Sequence, residues 1–461
     1  MPSSDDYRAL SFWHESHPGP LEPRPGLVGQ DEVDVAIVGA GYSGLWTAYY
    51  LKGLDPGLRV AIVEAEIAGF GASGRNGGWC LGTIPGVGGD VRDAAKRDGA
   101  VRLQRALFGA VDEVGSVAAR EGIDCHYAKG GTLTVASVEA HRDRLETDLR
   151  SWRSLGFGAE DVRWLDAREC RLRIGSERNL GGLFLAHCAA LHPLRLARGL
   201  ADAVERRGVR IHERSPVRSI EGAVVRTASG ALRAARIVRA TEGYTASLAG
   251  YERQLLPMHS NVIATEPLPE SVWKEIGLAE RETFADARRL VIYGQRTADD
   301  RIVFGARGRY FYGNRIHDRL AAAAPDFDVA HRALVELFPV LRGYRITHRW
   351  AGTLGIARDW RPSVGIDPRT GIGWVGGYAG EGVAASNLAG RTLAELLLGR
   401  RSERTDLPLV GRPFPRWELE PLRWLGVAAI RAVGASLDAA ELRGLPTPRL
   451  RGALFDAFVH K

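Results

Sequence analysis

Three glycines and one glutamate carry the most specific chemistry in the chain. Gly39-Ala40-Gly41-Tyr42-Ser43-Gly44 follows the apolar run Val33-Asp34-Val35-Ala36-Ile37-Val38 and opens a helical pattern through Tyr50. In this setting Gly39 permits a tight turn, Gly41 the close approach of a pyrophosphate, and Gly44 the close packing of helix on strand. The unpaired N–H groups and positive dipole end of that helix suit a phosphate. Glu64 closes the next apolar run, Arg59-Val60-Ala61-Ile62-Val63, 20 residues beyond Gly44. There a carboxylate accepts both hydroxyls of an adenosine ribose and repels a 2′-phosphate. Strand, glycines, helix, strand and acid in this order predict a βαβ dinucleotide site with a right-handed crossover.

NAD and FAD share that device, so the choice between them rests on the next stretch of chain. Gly69-Phe70-Gly71-Ala72-Ser73-Gly74-Arg75-Asn76-Gly77-Gly78 is too rich in glycine for a helix or an ordinary strand. It suits main chain laid against a flat, extended ligand, which favours a flavin. Arg75 is a candidate for a phosphate, with a solvated loop arginine as the alternative; Asn76 is a cofactor contact or a turn residue.

The elements that position these residues come from a 461-residue chain, 45% hydrophobic and 25% charged. That length implies two or three domains with ample core, and the composition excludes wholesale disorder. The balance of 62 Lys+Arg against 55 Asp+Glu gives +7, with no long basic run, so no nucleic-acid partner is expected. Cys80, Cys125, Cys170 and Cys188 show no CxxC, so no metal site and no disulfide framework is expected. No long apolar run predicts a membrane span, and MPSSDDYRAL lacks the features of a secretory signal, so a cytoplasmic protein is expected.

Residues 1–30 read as an extended arm. Helices are expected over about 91–120, 137–155, 192–207 and 383–398. Strands are expected at 131–136, 209–212, 223–227 and 236–240, and short β pieces at 261–264, 290–293 and 302–304 suggest a separate antiparallel sheet. In the last 60 residues LRWLGVAAIRAVG reads as an amphipathic helix that closes the body of the protein. A membrane-surface reading of this helix is the weaker alternative, because its two arginines do not make a strongly cationic face.

Beyond the two glycine-rich turns, several landmarks resemble one known family. They are Phe12-Trp13, Leu191-His192-Pro193, the run Arg239-Ala240-Thr241-Glu242-Gly243-Tyr244-Thr245, and Ala264-Thr265-Glu266-Pro267-Leu268. Two more are His348-Arg349-Trp350-Ala351-Gly352 and Gly376-Gly377-Tyr378-Ala379-Gly380-Glu381-Gly382-Val383-Ala384. The chain resembles the FAD-dependent oxidoreductases of the D-amino-acid oxidase superfamily over about residues 10–400, with most likeness to the γ-glutamylputrescine oxidase-like branch.

The resemblance implies an α/β fold: a Rossmann-like FAD-binding domain interleaved with an α+β substrate domain that contains a mixed or antiparallel sheet. The FAD domain would take 31–90, 185–250 and 341–400, the substrate domain 91–184 and 251–340. Residues 1–30 would form the arm, and 401–461 a C-terminal helical extension. It implies FAD contacts from Gly39, Gly41, Tyr42, Ser43, Gly44, Glu64, Ala72, Ser73, Arg75, Asn76, Gly77 and Gly78. Val217 would lie on the adenosine side and Thr241 and Gly243 near the pyrophosphate. Gly377, Gly380, Gly382 and Val383 would lie at the pyrimidine end, where a helix N-terminus stabilises negative charge. The cysteine that anchors flavin in sarcosine-oxidase-like relatives has no counterpart in HRWAGTLGIARDWRPSVGID, so FAD is expected to be non-covalent.

The activity so implied is oxidation of an amine C–N bond by hydride transfer to flavin N5. The imine product hydrolyses to an aldehyde plus ammonia or amine, and oxygen or another acceptor reoxidises the cofactor. The alternatives are an amino-acid dehydrogenase using a quinone or an electron-transfer protein, and a non-catalytic flavin-binding protein. Glycine-oxidase-like relatives carry Trp-Ala-Gly-Leu-Arg-Pro, whose arginine clamps the substrate carboxylate. Here Leu354 takes that place in Trp350-Ala351-Gly352-Thr353-Leu354-Gly355. This points to an amine without an α-carboxylate, unless Arg307 or Arg309 substitutes for the missing arginine. Glu381 stands where the family often has histidine, and reads as a contact for a substrate cation or as a helix cap. Tyr293, Trp350 and Tyr378 are candidate substrate walls, and His348 and Arg349 are supports. No catalytic acid–base residue is evident.

Overall fold

In this computed structural model residues 4–85, 95–321 and 323–459 are described; positions 86–94, part of the expected FAD segment and of the helix expected from 91, lie outside them. Two eight-stranded sheets organise the chain. The first runs in the order Ser363–Ile366, Ile372–Gly376, Gly230–Arg239, Gly29–Val38, Val60–Val63, Arg210–His212, with Ser219–Glu221 and Val224–Arg226 joined to the side of Gly230–Arg239. From Ile372–Gly376 to Arg210–His212 all neighbours are parallel. The last four residues of Gly29–Val38 and all four of Val60–Val63 are buried, as central strands of a sheet covered on both faces must be.

Helices Tyr42–Leu54, Arg97–Glu121, Pro193–Arg206 and Gly382–Leu397 cover one face of this sheet and share its core through Leu45, Leu107, Val114, Leu200 and Leu393. Helix Tyr42–Leu54 is buried from Tyr42 through Lys52, so its sequence is apolar almost all round. Arg97–Glu121 shows instead a single stripe of Leu103, Leu107, Val111, Val114 and Ala118, and stops at Gly122 with φ +66°. By sequence this helix is expected in the substrate domain. Its apolar stripe meets the core of the parallel sheet, while Phe108 on its flank packs with Leu145, Val162 and Leu185 of the second sheet's side.

The second sheet runs Ile346–Ala357, Leu255–Thr265, Ile302–Tyr310, Ile292–Arg296, Thr283–Asp286, Thr132–Val135, Gly182–Leu185, Val162–Leu165. It is mixed: Thr132–Val135 and Thr283–Asp286 are parallel, the other neighbours antiparallel. All 11 residues of Leu255–Thr265 are buried between its two partners. Ile346–Ala357 pairs with it along its whole length, so this strand lies in the second sheet although residues from 341 onward are expected with the first.

Two further expectations change. The arm forms short helices at Ser4–Arg8 and Phe12–Glu15. It is anchored by Trp13, whose Nε1 donates to the Asn76 carbonyl at 2.8 Å. The segment 69–78 contains one helical turn, Ala72–Arg75. Glycine is tolerated there because close packing, not propensity, decides: a Cβ on Gly74 would overlap the Gly69 carbonyl oxygen and Leu194.

Candidate functional site

Strand register builds the site. Val38 pairs with Val63 on one side and Arg239 on the other, Val63 pairs with His212, and Arg239 pairs with Trp374. The parallel strands therefore end together and set Gly39, Glu64, Thr241 and the turn after Gly376 along one edge. That carboxyl edge is where open α/β sheets bind ligands.

Gly39 has φ +107°, and a Cβ there would come 2.6 Å from the Ala240 carbonyl oxygen. A Cβ on Gly44 would overlap the Gly39 carbonyl oxygen and stand 3.2 Å from Ile37 Cγ2. These two glycines thus close the helix onto the strand. Gly41 sits at the N-cap of Tyr42–Leu54 in extended conformation, where the nearest atom to an added Cβ is Ser73 Oγ at 3.0 Å. Ser73 Oγ accepts from the Tyr42 N–H at 2.8 Å. The side chains of Tyr42 and Ser43 turn inward, to the Pro193 carbonyl at 2.8 Å and the Tyr378 hydroxyl at 2.9 Å. Their contribution to a ligand is main chain, since the first helical turn leaves N–H groups without intrahelical acceptors.

Glu64 makes no ion pair among the described residues. Its carboxylate accepts from the N–H groups of Ala40 at 2.6 Å and Glu66 at 3.0 Å. Burial pushes its pKa up to about 7, the two backbone bonds opposing. An ionised carboxylate has about four acceptor positions, so two remain for the paired hydroxyls of a ribose. A half-buried acid held only by neutral donors beside a glycine turn fits the adenosine end of a dinucleotide. Ser215 N–H bonds the Glu64 carbonyl at 2.8 Å, and Val217, two residues on, packs on the outer apolar face of the sheet.

The second glycine-rich turn does something other than face a ligand throughout. Added Cβ atoms on Gly77 and Gly78 would overlap the Tyr293 ring and the Gln295 amide. These glycines let the second sheet approach the first. Arg75, expected at a phosphate or in solvent, is fully buried. It donates to Asp318 Oδ1 at 2.7 Å, the Tyr244 hydroxyl at 2.7 Å and the Ala351 carbonyl at 3.2 Å. It is a structural hub joining the turn to the second sheet. Asn76 caps the short helix through Ala72 and holds the Gly78 N–H at 2.7 Å.

At the other end of the edge the chain turns through Gly376, Gly377, Ala379 and Gly380, all with positive φ, before helix Gly382–Leu397 begins. One residue for which the sequence offers no role holds this turn. Glu242, with φ +41°, accepts from the N–H groups of Gly377 at 2.8 Å, Tyr378 at 3.3 Å and Gly355 at 3.3 Å. Burial raises its pKa to about 7 against those bonds and the charge of Arg239. Thr241 Oγ1 bonds Thr245 Oγ1 at 2.9 Å, and Gly243 admits the Thr353 carbonyl, which an added Cβ would approach to 2.7 Å.

Four substrate candidates meet beside this turn. Arg307 Nη2 donates to the Ala379 carbonyl at 3.4 Å, and its guanidinium lies 5.0 Å from the Trp360 ring centre. Leu354 Cδ1 and Arg307 Nη2 stand 3.5 and 3.9 Å from where a Gly380 Cβ would be. Glu381 occupies the N-cap position but makes no capping bond; its carboxylate accepts from Thr83 Oγ1 at 3.3 Å. Burial lowers the Arg307 pKa, and the charges of Glu381 and then Tyr293 oppose it. Tyr293 bonds Ser260 Oγ at 2.8 Å, and its pKa is raised by burial. Arg309 points away, to Asp326 at 2.7 Å. Trp350 and Tyr378 are buried in packing roles: Trp350 Nε1 donates to the Arg75 carbonyl at 2.8 Å, and Tyr378 holds Ser43. Val383 is buried in the core of the parallel sheet, and Gly382 abuts the Tyr378 ring. Among the described residues no group of His, Cys, Asp and Glu is placed to hold a metal, and no helix is long and apolar enough to cross a membrane.

Known proteins share this plan. The chain is 34% identical over 390 residues to γ-glutamylputrescine oxidoreductase of Escherichia coli (strain K12), covering 83% of this chain and 88% of that one. It is 26% identical over 376 residues to glycine oxidase of Geobacillus kaustophilus, covering 79% and 92%. The crystal structure of glycine oxidase from Geobacillus kaustophilus superposes with a TM-score of 0.68 at 21% identity, over 81% of this chain and 96% of the other. Residues 34–396, a span holding both glycine-rich turns and the whole carboxyl edge, match the family described as FAD dependent oxidoreductase. The chain belongs to that family, as an oxidoreductase that binds FAD and acts on amine or amino groups.

Proposed function

We propose that this enzyme oxidises the C–N bond of a primary amine whose reacting carbon bears no carboxylate and whose far end is polar or cationic. The observation that carries this is Leu354 at the Gly380 turn: an apolar side chain lies where a carboxylate clamp would be needed, with Glu381 close by to hold an ammonium. The similarity to γ-glutamylputrescine oxidoreductase supports the same class.

Bound FAD supplies the acceptor for a hydride, and the protein contributes position, dryness and charge. On this reading Gly39, Gly41, Gly44, Glu64, Ser73 and Thr241 hold the adenosine and pyrophosphate. The Gly376–Gly380 turn and the N-terminus of helix Gly382–Leu397 hold the pyrimidine end, where the dipole favours negative charge. Tyr293 and Leu354 exclude water from the reacting carbon. The amine must arrive neutral, and nothing in the pocket is needed to take its proton. With no cysteine in residues 348–367, where sarcosine-oxidase-like relatives anchor flavin, FAD is held without a covalent bond.

Arg307 favours a second reading. Its guanidinium reaches the same turn with donors to spare and no short carboxylate partner among the described residues, so it can hold a substrate carboxylate in a bidentate pair. An α-amino acid would then be the substrate. Anaerobic mixing of the yellow protein with diamines, γ-glutamyl amines and D- and L-amino acids separates the two. Flavin bleaching by the amines supports the first reading, whereas bleaching by simple α-amino acids alone establishes the second. Admission of air then shows whether oxygen restores the colour with release of peroxide.

A further inference from the structure

Seven of the twelve large apolar side chains that stay exposed among the described residues lie within 419–454: Leu419, Leu422, Trp424, Leu425, Leu445, Leu450 and Leu454. They belong to helices Leu422–Leu442 and Arg449–Phe458 and the segments beside them. The inner side of the first helix closes the body of the protein, as its sequence predicts, through Val427, Ile430 and Leu437 beside Trp360 and Ile356. Its opposite face carries Leu425, Ala428, Ala429, Ala432, Ala435 and Ala439, all exposed. At 1.5 Å per residue this uncharged stripe runs for about 20 Å. The second helix lies alongside, with Phe455 against Gly434, and leaves Leu450 at 82% and Leu454 at 57% exposure.

The charges are sorted. Asp438 accepts from the backbone of Arg289 and Leu290, Glu441 pairs with Arg144 at 2.9 Å, and Asp456 pairs with Arg289 at 2.7 Å. Every acid of these two helices is thus engaged with the body. The helix's own Arg423 is buried on Glu420, and Arg431 is half-buried. Arg443, Arg449 and Arg451 are exposed. The outward face is therefore apolar with a cationic rim.

We infer that this face docks flat on an anionic lipid surface, with the two helices lying in the plane of the interface. Apolar side chains, an interfacial tryptophan and arginines that pair with no acid among the described residues are what such a surface binds. A two-fold contact with a second copy would instead bring the same arginines of both copies into one interface with no acid to meet them.

The test is flotation of the yellow holoenzyme with vesicles of phosphatidylcholine alone, or of phosphatidylcholine mixed with phosphatidylglycerol. The expected result is binding to the mixed vesicles and little to the neutral ones, weakened by salt. Replacing Arg443, Arg449 and Arg451 by Gln should weaken it by roughly fivefold for each arginine. Leu425→Ser with Leu450→Ser should weaken it as well, with the flavin spectrum unchanged as the sign of an intact fold. Absence of flotation, or equal binding to both vesicle types by wild type and variants, overturns the inference. So does a dimer in sedimentation that the leucine variants dissociate while no vesicle binds.

Discussion

Glu64 and Glu242 follow the two strands that flank Gly29–Val38, on the same sheet edge, and look chemically alike. Each is a half-buried carboxylate with no ion-pair partner among the described residues, held by backbone N–H groups, with its pKa raised to about 7 by desolvation. Their surroundings differ in one respect. Glu64 takes two N–H donors and keeps acceptor positions for a ligand. Glu242 takes three, from Gly355, Gly377 and Tyr378, and is enclosed by glycines whose added Cβ atoms would press on it. On the proposed reading Glu64 is the ligand-facing acid, whereas Glu242 is a clasp that ties the last parallel strand to the second sheet. The contrast teaches that a buried acid's role is set by which acceptor positions its own backbone leaves unused.

The adenosine end should break most completely. Gly44→Val places a Cβ on the Gly39 carbonyl, a backbone atom that cannot move without the strand. The cost should reach or exceed the roughly 1–3 kcal/mol of ordinary overpacking. Purified Gly44→Val protein should be colourless; flavin absorbance at wild-type occupancy would mean that the helix does not pack here.

Next in size is Glu242→Ala, which strands three N–H groups. Against the carboxylate's own burial cost the net loss should be about 2–3 kcal/mol of stability, read as a lower melting temperature of the apoprotein. Glu64→Ala should change apoprotein stability far less and instead weaken FAD binding. If the two variants lost stability equally, the division between clasp and ligand-facing acid would fail.

The legible and illegible parts of this molecule divide along the same line. Gly44 and Glu64 are readable because their partners Gly39, Ile37, Ala40 and Glu66 are close in sequence, and Gly39, though it meets Ala240, belongs to the same one-unit βαβ fingerprint. Arg75 misleads because its partner Asp318 is 243 residues away; a glycine-rich neighbourhood suggests a ligand where a distant carboxylate waits. Glu242 lies in a recognised landmark, but only the folded register reveals that Gly355 and Gly377 converge on it. Ile346–Ala357 cannot be sorted between sheets by sequence, since a buried strand has the same pattern in either. The Arg97–Glu121 helix has a clear period, but the period does not say which core its stripe meets.

The finest separation of the two acids is their response to pH. In the apoprotein both have folded pKa values near 7, above the ordinary 4.5. Between about pH 4.5 and 7 the folded chain therefore holds protons that the unfolded chain would release. Their contribution to stability is complete below the lower value and is lost as pH rises through the upper one. On the proposed reading FAD reverses the preference at Glu64 alone, because ribose hydroxyls would donate to the ionised carboxylate. FAD affinity should accordingly rise as pH increases through about 7 and then level off. Glu64→Gln should flatten this profile and lower affinity above pH 7 by one to two decades, the worth of a charge-assisted hydrogen bond of roughly 1.5–3 kcal/mol. Glu242→Gln should leave the slope in place, since its carboxylate faces protein donors whether or not FAD is bound. Titration of apoprotein with FAD by flavin fluorescence across pH 5.5–8.5 gives all three curves. A slope that survives Glu64→Gln and vanishes in Glu242→Gln would exchange the roles of the two glutamates.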